Sequence, residues 1–126
     1  MTSEQPAGPH YSPFTVGGGL IFVSGQLPML PARDTSLADA PFDVQAEQTL
    51  RNLKAVLESA GVGLAQLLKT TVYLSDIADW GAVDQVYRQF FGDLRPARTV
   101  IAVGPLHFCF KIEIDAIALA GDATAG

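Results

Sequence analysis

The sequence predicts one α+β domain in the order β-β-α-β-α-β-β, a sandwich of two helices packed on one face of a mixed sheet. Short β-branched and aromatic runs alternate with two longer segments of helical periodicity. A length of 126 residues suits a single domain, 1–126, and no repeat at solenoid spacing is present. The polar ends, 1–9 and 121–126, are expected to be flexible.

Composition excludes several classes of protein. The formal net charge is −5 and the eight Lys and Arg residues are scattered, so no nucleic acid is expected as a partner. No apolar run approaches the roughly 20 residues of a membrane span. The opening "MTSEQPAGPH" lacks the pattern of a leader, and the single Cys109 cannot form an intrachain disulfide. We therefore expect a cytoplasmic protein that does not bind a membrane.

The first predicted unit is a β-hairpin. In "YSPFTVGGGLIFVSGQLP" two apolar runs flank Gly17, Gly18 and Gly19, as in a tight turn. A phosphate-cradling loop is the alternative, but neither Lys-Ser nor Lys-Thr follows the glycines and no helix opens there. The next segment, "MLPARDTSLADAP", is interpreted as a loop because of its prolines and small polar residues.

A first amphipathic helix is predicted between Phe42 and Ala60. Gly61 supplies a left-handed stop just after it. Apolar residues recur at spacings of four and three, at Ala46, Leu50, Leu53, Leu57 and Ala60.

A strand in "LLKTTVYLSD" and a second helix follow. Asp79 is predicted to cap this helix and Gly92 to end it. Its apolar face would carry Trp80, Val83, Tyr87 and Phe90. Trp80 is expected in the core, and a stacking platform for a ligand is the alternative.

Two further strands, "TVIAV" and "KIEIDAIALA", complete the sheet, with a turn around Gly104 and Pro105 between them. Strict alternation in the last strand places one apolar and one charged set on opposite faces. The apolar set is Ile112, Ile114 and Ala116, and the charged set is Lys111, Glu113 and Asp115.

The sheet is predicted to be apolar on both faces. In "LIFVS" Leu20 and Phe22 point one way, and Ile21 and Val23 point the other. Two helices cover only one face. Exposing several hundred Å² of the other would forfeit several kcal/mol at about 25 cal/mol per Å², so we expect a homo-oligomer that packs the open faces together.

Glu113 then lies on the face directed into the oligomer, where an unpaired carboxylate is costly. One interpretation is a structural ion pair with Lys111 or an arginine. The other is a polar cavity between subunits, in which Arg98 grips a substrate carboxylate and Glu113 orients or activates water. Arg98 suits that role because it starts a strand, whereas Arg95 precedes it on a loop and is expected to be solvated. Arg98 and Glu113 are thus predicted to open into one pocket between subunits, and a monomer that carries them on separate faces would contradict this prediction.

Other chemistries have little support in the sequence. His10 and His107 are far apart and no acid stands at ligand spacing, so no metal site is expected. A thiol-imidazole pair of Cys109 and His107 is the alternative, but two residues apart in an extended segment they would merely share one side. There is no G-x-S-x-G elbow and no G-x-G-x-x-G followed by a helix.

Several segments together resemble the RidA family, also called the YjgF or L-PSP endoribonuclease-like family. They are "YSPFTVGGGLIFVSGQLP", "QTLRNLKAVLESAG", "KTTVYLSDIADWGAVDQVYRQFF", "RPARTVIAV" and "KIEIDAIA", and the resemblance runs from about Tyr11 to Ala120. It implies a chorismate-mutase-like fold and a homotrimer whose sheets line a barrel, with clefts between subunits. It also implies cofactor-independent hydrolysis of small carboxylate-bearing imines and enamines, such as 2-aminoacrylate, to a 2-keto acid and ammonia.

The same resemblance implies roles for individual residues. Arg98 would bind the substrate carboxylate and Glu113 would position water or relay a proton. Tyr11 and Ser24 would help to close the cleft.

Some positions depart from the family pattern. Asp84 stands where an asparagine is usual. Near Glu113 it would raise the pKa of one of the two acids or repel an anionic substrate. Val100 replaces a frequent cysteine, and "GPHY" places His10 beside the tyrosine. "LHFC" gives a more aromatic rim, in which His107 is a candidate substrate-binding residue.

Two other functions stay open at this point. One is a regulatory trimer that binds a small metabolite without turnover. The other is the endoribonuclease or translation inhibitor of the family's older label, which the acidic composition disfavours.

Overall fold

The computed structural model of the chain describes residues 9–121, and the elements in this range follow the predicted order. Most of the ends expected to be flexible, residues 1–8 and 122–126, lies outside the described residues. The strands and helices are β1 (Phe14–Gly17), β2 (Leu20–Gln26), α1 (Phe42–Ser59), β3 (Leu67–Leu74), α2 (Trp80–Phe91), β4 (Ala97–Ala102) and β5 (Ile112–Leu119).

The five strands form one mixed sheet in the order β1-β2-β5-β3-β4. Strands β3 and β4 pair in parallel and the other neighbours are antiparallel. A parallel pair needs a crossover connection, and α2 provides it between β3 and β4. Both helices pack on the same face, which confirms the predicted α+β architecture. None of the helices in residues 9–121 has the length and apolarity that crossing a membrane requires.

The glycine run forms the turn of a hairpin. Gly18 and Gly19 connect β1 to β2 with φ of 59° and 78°. A two-residue hairpin turn of this kind needs positive φ at both central positions, which glycine adopts without steric cost. The hairpin prediction is confirmed, and the segment after the glycines is a strand instead of the helix that a phosphate-binding loop needs.

Helix α1 buries four residues of the predicted apolar stripe and also a glutamine, while the fifth, Ala60, lies just after the helix and is partly buried. Gln45 is fully buried and donates to the carbonyl oxygens of Ala38 and Ala40 at 3.1 and 3.0 Å. Its side-chain oxygen accepts from the backbone N–H of Lys111 at 2.9 Å. A buried amide is stable only when its polar atoms are paired, so Gln45 fixes the backbone at Lys111, just before β5 and two residues before Glu113.

The start of α2 differs from the prediction. Asp79 makes no capping bond, and its backbone is already close to helical at φ −81° and ψ 0°, whereas a capping residue has extended geometry. A short 3₁₀ turn, Ile77–Asp79, precedes the helix, and Asp76 caps that turn by accepting from the N–H of Ala78 at 2.9 Å. The end is as predicted, at Gly92 with φ of 61°.

The two faces of the sheet differ in burial. Ile112, Ile114 and Ala116 are buried under the helices, as the alternation in β5 predicts. On the open face, Phe22 is 43% exposed and Ile101 is 42% exposed. The other apolar residues of that face are Leu20, Ile117 and Leu119. The expectation of an uncovered apolar face is therefore confirmed for the single chain.

Candidate active site

Four of the residues singled out in the sequence line one cavity of about 380 Å³, called here the Glu113 cavity. They are Tyr11, Ser24, His107 and Glu113, which come from the N-terminal segment, β2, the loop before β5, and β5. The other lining residues are Pro9, Gly25, Leu27, Met29 and Arg33. A neighbouring hollow of about 360 Å³ also reaches Glu113 and includes Tyr73 and Asp115.

A β-bulge shapes the wall of this cavity opposite Glu113. Strand β2 advances three residues, from Val23 to Gln26, while β5 moves two, from Ala116 to Ile114. The extra residue locally re-aims the strand, as bulges beside functional sites often do. The bulge contains Gly25, where a Cβ would overlap the carboxylate of Glu113. Glycine is needed there because it leaves room for that carboxylate.

Ser24 ties the N-terminal segment to the bulge. Its hydroxyl donates to the carbonyl of Ser12 at 2.7 Å, and its backbone N–H donates to the carbonyl of Pro13 at 2.9 Å. These bonds hold the segment that carries Tyr11, whose side chain is 62% exposed at the cavity. The hydroxyl oxygen of Ser24 still has lone pairs that can accept from a ligand.

The pKa of Glu113 is raised above its ordinary value. Burial of the carboxyl is the main cause and the charge of Asp115 adds to it, while nearby His107 opposes the shift. Asp115 accepts a hydrogen bond from the Tyr73 hydroxyl at 2.7 Å, which helps to raise the pKa of Tyr73 to about 12. A partly buried carboxyl with a perturbed pKa is a candidate for proton transfer.

The ion-pair interpretation of Glu113 is not met within one chain. The two ion pairs found in residues 9–121 join Arg51 to Glu47 and Arg98 to Asp84, so Glu113 is in neither.

Arg98 lines a different pocket, of about 470 Å³, called here the Arg98 pocket. A guanidinium nitrogen lies 2.7 Å from a carboxylate oxygen of Asp84. The guanidinium carbon lies 5.0 Å from the ring centroid of Tyr87 and 5.8 Å from that of Trp80, within the range of cation–π attraction. Tyr87 is itself fixed by a 2.8 Å hydrogen bond between its hydroxyl and that of Thr70. The remaining lining residues are Arg88, Gly92, Leu94, Arg95 and Pro96.

Trp80 is therefore not a core residue, in contrast to the preferred interpretation of the sequence. It is 45% exposed, because its ring lies beside the guanidinium of Arg98 and not inside the apolar layer. Arg95 is exposed at the rim of the same pocket, as expected for a solvated loop residue.

Arg98 and Glu113 lie on opposite faces of the sheet. Arg98 is in register with Thr70, which is fully buried under the helices, whereas Glu113 is in register with Tyr73. Residues 70 and 73 of one strand point to opposite sides. Arg98 and Glu113 of one chain therefore do not share a pocket, because the register of β4 turns Arg98 toward α2, and the expected pocket between subunits stays a prediction.

Asp84 also differs from expectation, because it lies against Arg98 and does not act on Glu113. The acid that raises the pKa of Glu113 is Asp115. The alternation of β5 signals Asp115, since it places both acids on one face. No local signal points to Arg33, which stands in a segment interpreted as a plain loop.

No cluster of metal-ligating side chains is found in residues 9–121. Cys109 is exposed and is not among the residues described as lining the Glu113 cavity, so the arrangement does not pair its thiol with His107 in that cavity. The loop between them is a short 3₁₀ turn, His107–Cys109, in which Phe108 has a left-handed backbone.

Fold and cavity together define an α+β protein with an acid, two hydroxyls and an imidazole gathered at the open face of its sheet. Comparison with known proteins identifies the family more closely. The family model described as "Endoribonuclease L-PSP" matches residues 2–120. The chain therefore belongs to the family of RidA, YjgF and L-PSP proteins, as its segments indicate.

Relatives in several organisms are similar over most of their length. A RutC family protein of Pyrococcus horikoshii is 39% identical over 116 residues, covering 92% of this chain and 90% of that protein. The Escherichia coli protein named "Putative reactive intermediate deaminase TdcF" is 36% identical over 107 residues, with 81% and 80% covered. A crystal structure of E. coli TdcF with bound serine has a TM-score of 0.81 at 32% identity, covering 92% and 91%.

Proposed function

We propose that the protein is a cofactor-independent hydrolase that deaminates small imines and enamines to 2-keto acids and ammonia. One observation carries the proposal. Glu113 is a half-buried carboxyl with a raised pKa, unpaired within the described chain, in a cavity that also holds the hydroxyls of Tyr11 and Ser24. The name of the TdcF relative supports the same chemistry.

The proposed reaction needs one base and one position for water. An enamine first takes a proton at its terminal carbon, loses one from nitrogen, and becomes the imine. Water then adds to the imine carbon, and Glu113 takes a proton from the attacking oxygen. Glu113 returns this proton to nitrogen and the remaining hydroxyl proton follows by the same route, so the C–N bond breaks, ammonia leaves, and the C–O bond becomes the carbonyl of the keto acid. Imines hydrolyse readily unaided, so orientation and modest proton transfer suffice.

The substrate carboxylate requires a cation, and in this proposal Arg98 of a second copy supplies it. Within one chain the two residues lie on opposite faces of the sheet, so a site that uses both must join two copies. The uncovered apolar face around Phe22 and Ile101 gives copies a reason to associate, because water contact with that face is unfavourable. The homotrimer implied by the family resemblance provides such clefts, with one at each interface.

A second candidate is a metabolite-binding trimer without useful turnover. The contact between Arg98 and Asp84 favours it, because a guanidinium that already has a carboxylate partner binds a substrate carboxylate less strongly. The TdcF structure with bound serine also supports small-molecule binding by this fold. The family model's description also names an endoribonuclease. Ribonuclease activity has weaker support, because the net charge of −5 opposes phosphate binding.

The first experiment follows imine decay and ammonia release. An amino-acid oxidase generates 2-imino acids in place, and the wild type is compared with Arg98→Ala and Glu113→Gln. We expect both variants to lose at least tenfold in kcat/KM. Hydrolysis by Arg98→Ala at the wild-type rate with every imine would refute the role of Arg98, and binding without ammonia release by the wild type would favour the second candidate.

The same variants test whether two copies share a site. Mixed after reversible dissociation, Arg98→Ala and Glu113→Gln would form some interfaces with both residues intact, and about a quarter of wild-type activity is expected at equal amounts. The unmixed variants are the controls. If the mixture stays as inactive as its parts while mixed oligomers form, the shared cleft is wrong. A monomer by ultracentrifugation would contradict it as well.

A further inference from the structure

Arg33 gives the Glu113 cavity a permanent positive charge. It is the one lysine or arginine among the residues described as lining that cavity, and a guanidinium stays protonated throughout the physiological range. The segment that carries it reads as an ordinary loop in the sequence. Only folding brings this exposed side chain to the cavity that Glu113 and His107 also line.

The guanidinium of Arg33 has no acidic partner among residues 9–121. The two ion pairs of that range involve Arg51 and Arg98. The adjacent Asp34 accepts from the backbone N–H of Ser36 at 2.8 Å, which closes a turn. Arg33 is thus unlike Arg98, which is already in contact with Asp84.

The backbone at Arg33 is held in a conformation unfavourable for a residue with a Cβ. Ala32 and Arg33 both have left-handed φ, of 64° and 58°. Paired backbone bonds between Leu30 and Asp34, of 3.0 and 3.2 Å, close the turn around them. Asn52 of α1 secures the preceding segment by donating to the carbonyls of Leu27 and Met29. Such strain persists where the surroundings enforce it, and it is concentrated at ligand sites.

A free cation on a fixed turn, at the cavity that holds the proposed general base, is suited to bind an anionic group of the substrate. The α-carboxylate is assigned to Arg98 of the neighbouring copy, so Arg33 is available for a second one.

We propose that Arg33 is a specificity-determining residue that binds a distal carboxylate, so that the protein prefers imines of acidic amino acids, the 2-imino dicarboxylates. This inference rests on the proposed function and uses the same bond changes. A 2-imino dicarboxylate and water give a 2-keto dicarboxylate and ammonia.

The test compares two substrates on four proteins. 2-Iminosuccinate and 2-iminopropionate are generated in place by oxidases acting on aspartate and alanine. The proteins are the wild type, Arg33→Asn, Arg33→Lys and Arg51→Gln. Asparagine removes the charge and tolerates left-handed φ better than most residues, so folding should be retained. Arg51→Gln is the matched control, because it removes the same charge from a solvated pair on α1.

We expect the wild type to favour 2-iminosuccinate. Arg33→Asn should lose on the order of tenfold in kcat/KM for that substrate, mainly through a higher KM. Its loss in kcat/KM for 2-iminopropionate should be less than about twofold. Arg33→Lys should recover part of the preference and Arg51→Gln should show no change. Calorimetry with 2-oxoglutarate and 2-oxobutyrate measures binding without turnover. Arg33→Asn should weaken the binding of 2-oxoglutarate and leave that of 2-oxobutyrate unchanged.

Two results would overturn the inference. If Arg33→Asn leaves the ratio of the two substrates unchanged, Arg33 does not read the distal carboxylate. If Arg33→Asn weakens the binding of 2-oxoglutarate and 2-oxobutyrate equally, Arg33 binds a group common to all substrates. Failure of the proposed function is distinguishable from either, because the wild type would then hydrolyse neither imine.

Discussion

The Arg98 pocket and the Glu113 cavity differ in how far one chain completes them. Arg98 has a carboxylate at 2.7 Å and two aromatic rings near its guanidinium. Glu113 has a raised pKa and no ion-pair partner in residues 9–121. Arg98 is therefore paired with an acid inside its own chain, whereas Glu113 is partly desolvated and has no ion-pair partner there.

This difference bears on function. Burying a carboxyl without a counter-charge costs free energy that a purely structural residue would not need to expend. An acid without a counter-charge, such as Glu113, is suited to transfer protons. Arg98 is suited to selective binding, because a ligand must compete with Asp84 for its guanidinium. We therefore expect substitutions in the Glu113 cavity to affect turnover and substitutions in the Arg98 pocket to affect affinity.

The largest expected effect comes from Glu113→Gln. Loss of the proton acceptor should lower kcat roughly 10²- to 10⁴-fold, with a small change in KM. The folded-state pKa of Glu113 is raised, so its contribution to stability is greatest below its unfolded pKa and declines as pH rises through the folded value. The variant should therefore unfold at the same or a higher denaturant concentration than the wild type at neutral pH. A large loss of both activity and stability would mean that Glu113 is structural.

The next effect is expected from Gly25→Ala. Its methyl group would overlap the Glu113 carboxylate and displace it, so kcat should fall about 10- to 100-fold, as expected for misplacement of about 1 Å. Gly17→Ala is the control, because a Cβ there meets nothing within 4 Å. Equal activity of the two variants would show that the position of the carboxylate does not matter.

Asp84→Asn should act in the opposite direction. Removing the carboxylate that occupies Arg98 should lower KM for carboxylate-bearing imines roughly tenfold, since charge-assisted pairs with arginine are strong. Asp93→Asn, at an exposed position near the end of α2, controls for net charge. If KM rises instead, Asp84 positions Arg98 for binding and does not compete with the ligand.

The smallest expected effect is on stability, from Tyr73→Phe. Loss of the 2.7 Å bond to Asp115 should lower the free energy of unfolding by about 1 kcal/mol. The pKa of Tyr73 is raised from 10.0 to about 12, so this contribution is complete below pH 10.0 and is lost as pH approaches 12. Denaturant titrations of both proteins at neutral and alkaline pH measure it. A difference that does not shrink at high pH would contradict this origin.

The sequence predicts local features well because each depends on neighbouring residues. The alternation of β5 correctly places Glu113 on the face opposite Ile112 and Ile114. The glycine run correctly predicts the hairpin. The start of α2 is predicted less well, since a 3₁₀ turn moves the capping role from Asp79 to Asp76 and Trp80 is exposed.

By itself, the sequence determined the order of the elements, the apolar stripe of α1 and the side of β5 that carries charge. These follow from side-chain periodicity, which is a property of consecutive residues. Only the tertiary structure decided that Arg98 faces α2 and meets Asp84, and that Arg33 reaches the cavity of Glu113. These relations depend on strand register and loop closure between distant segments, and a one-residue change of register would reverse every side chain of a strand.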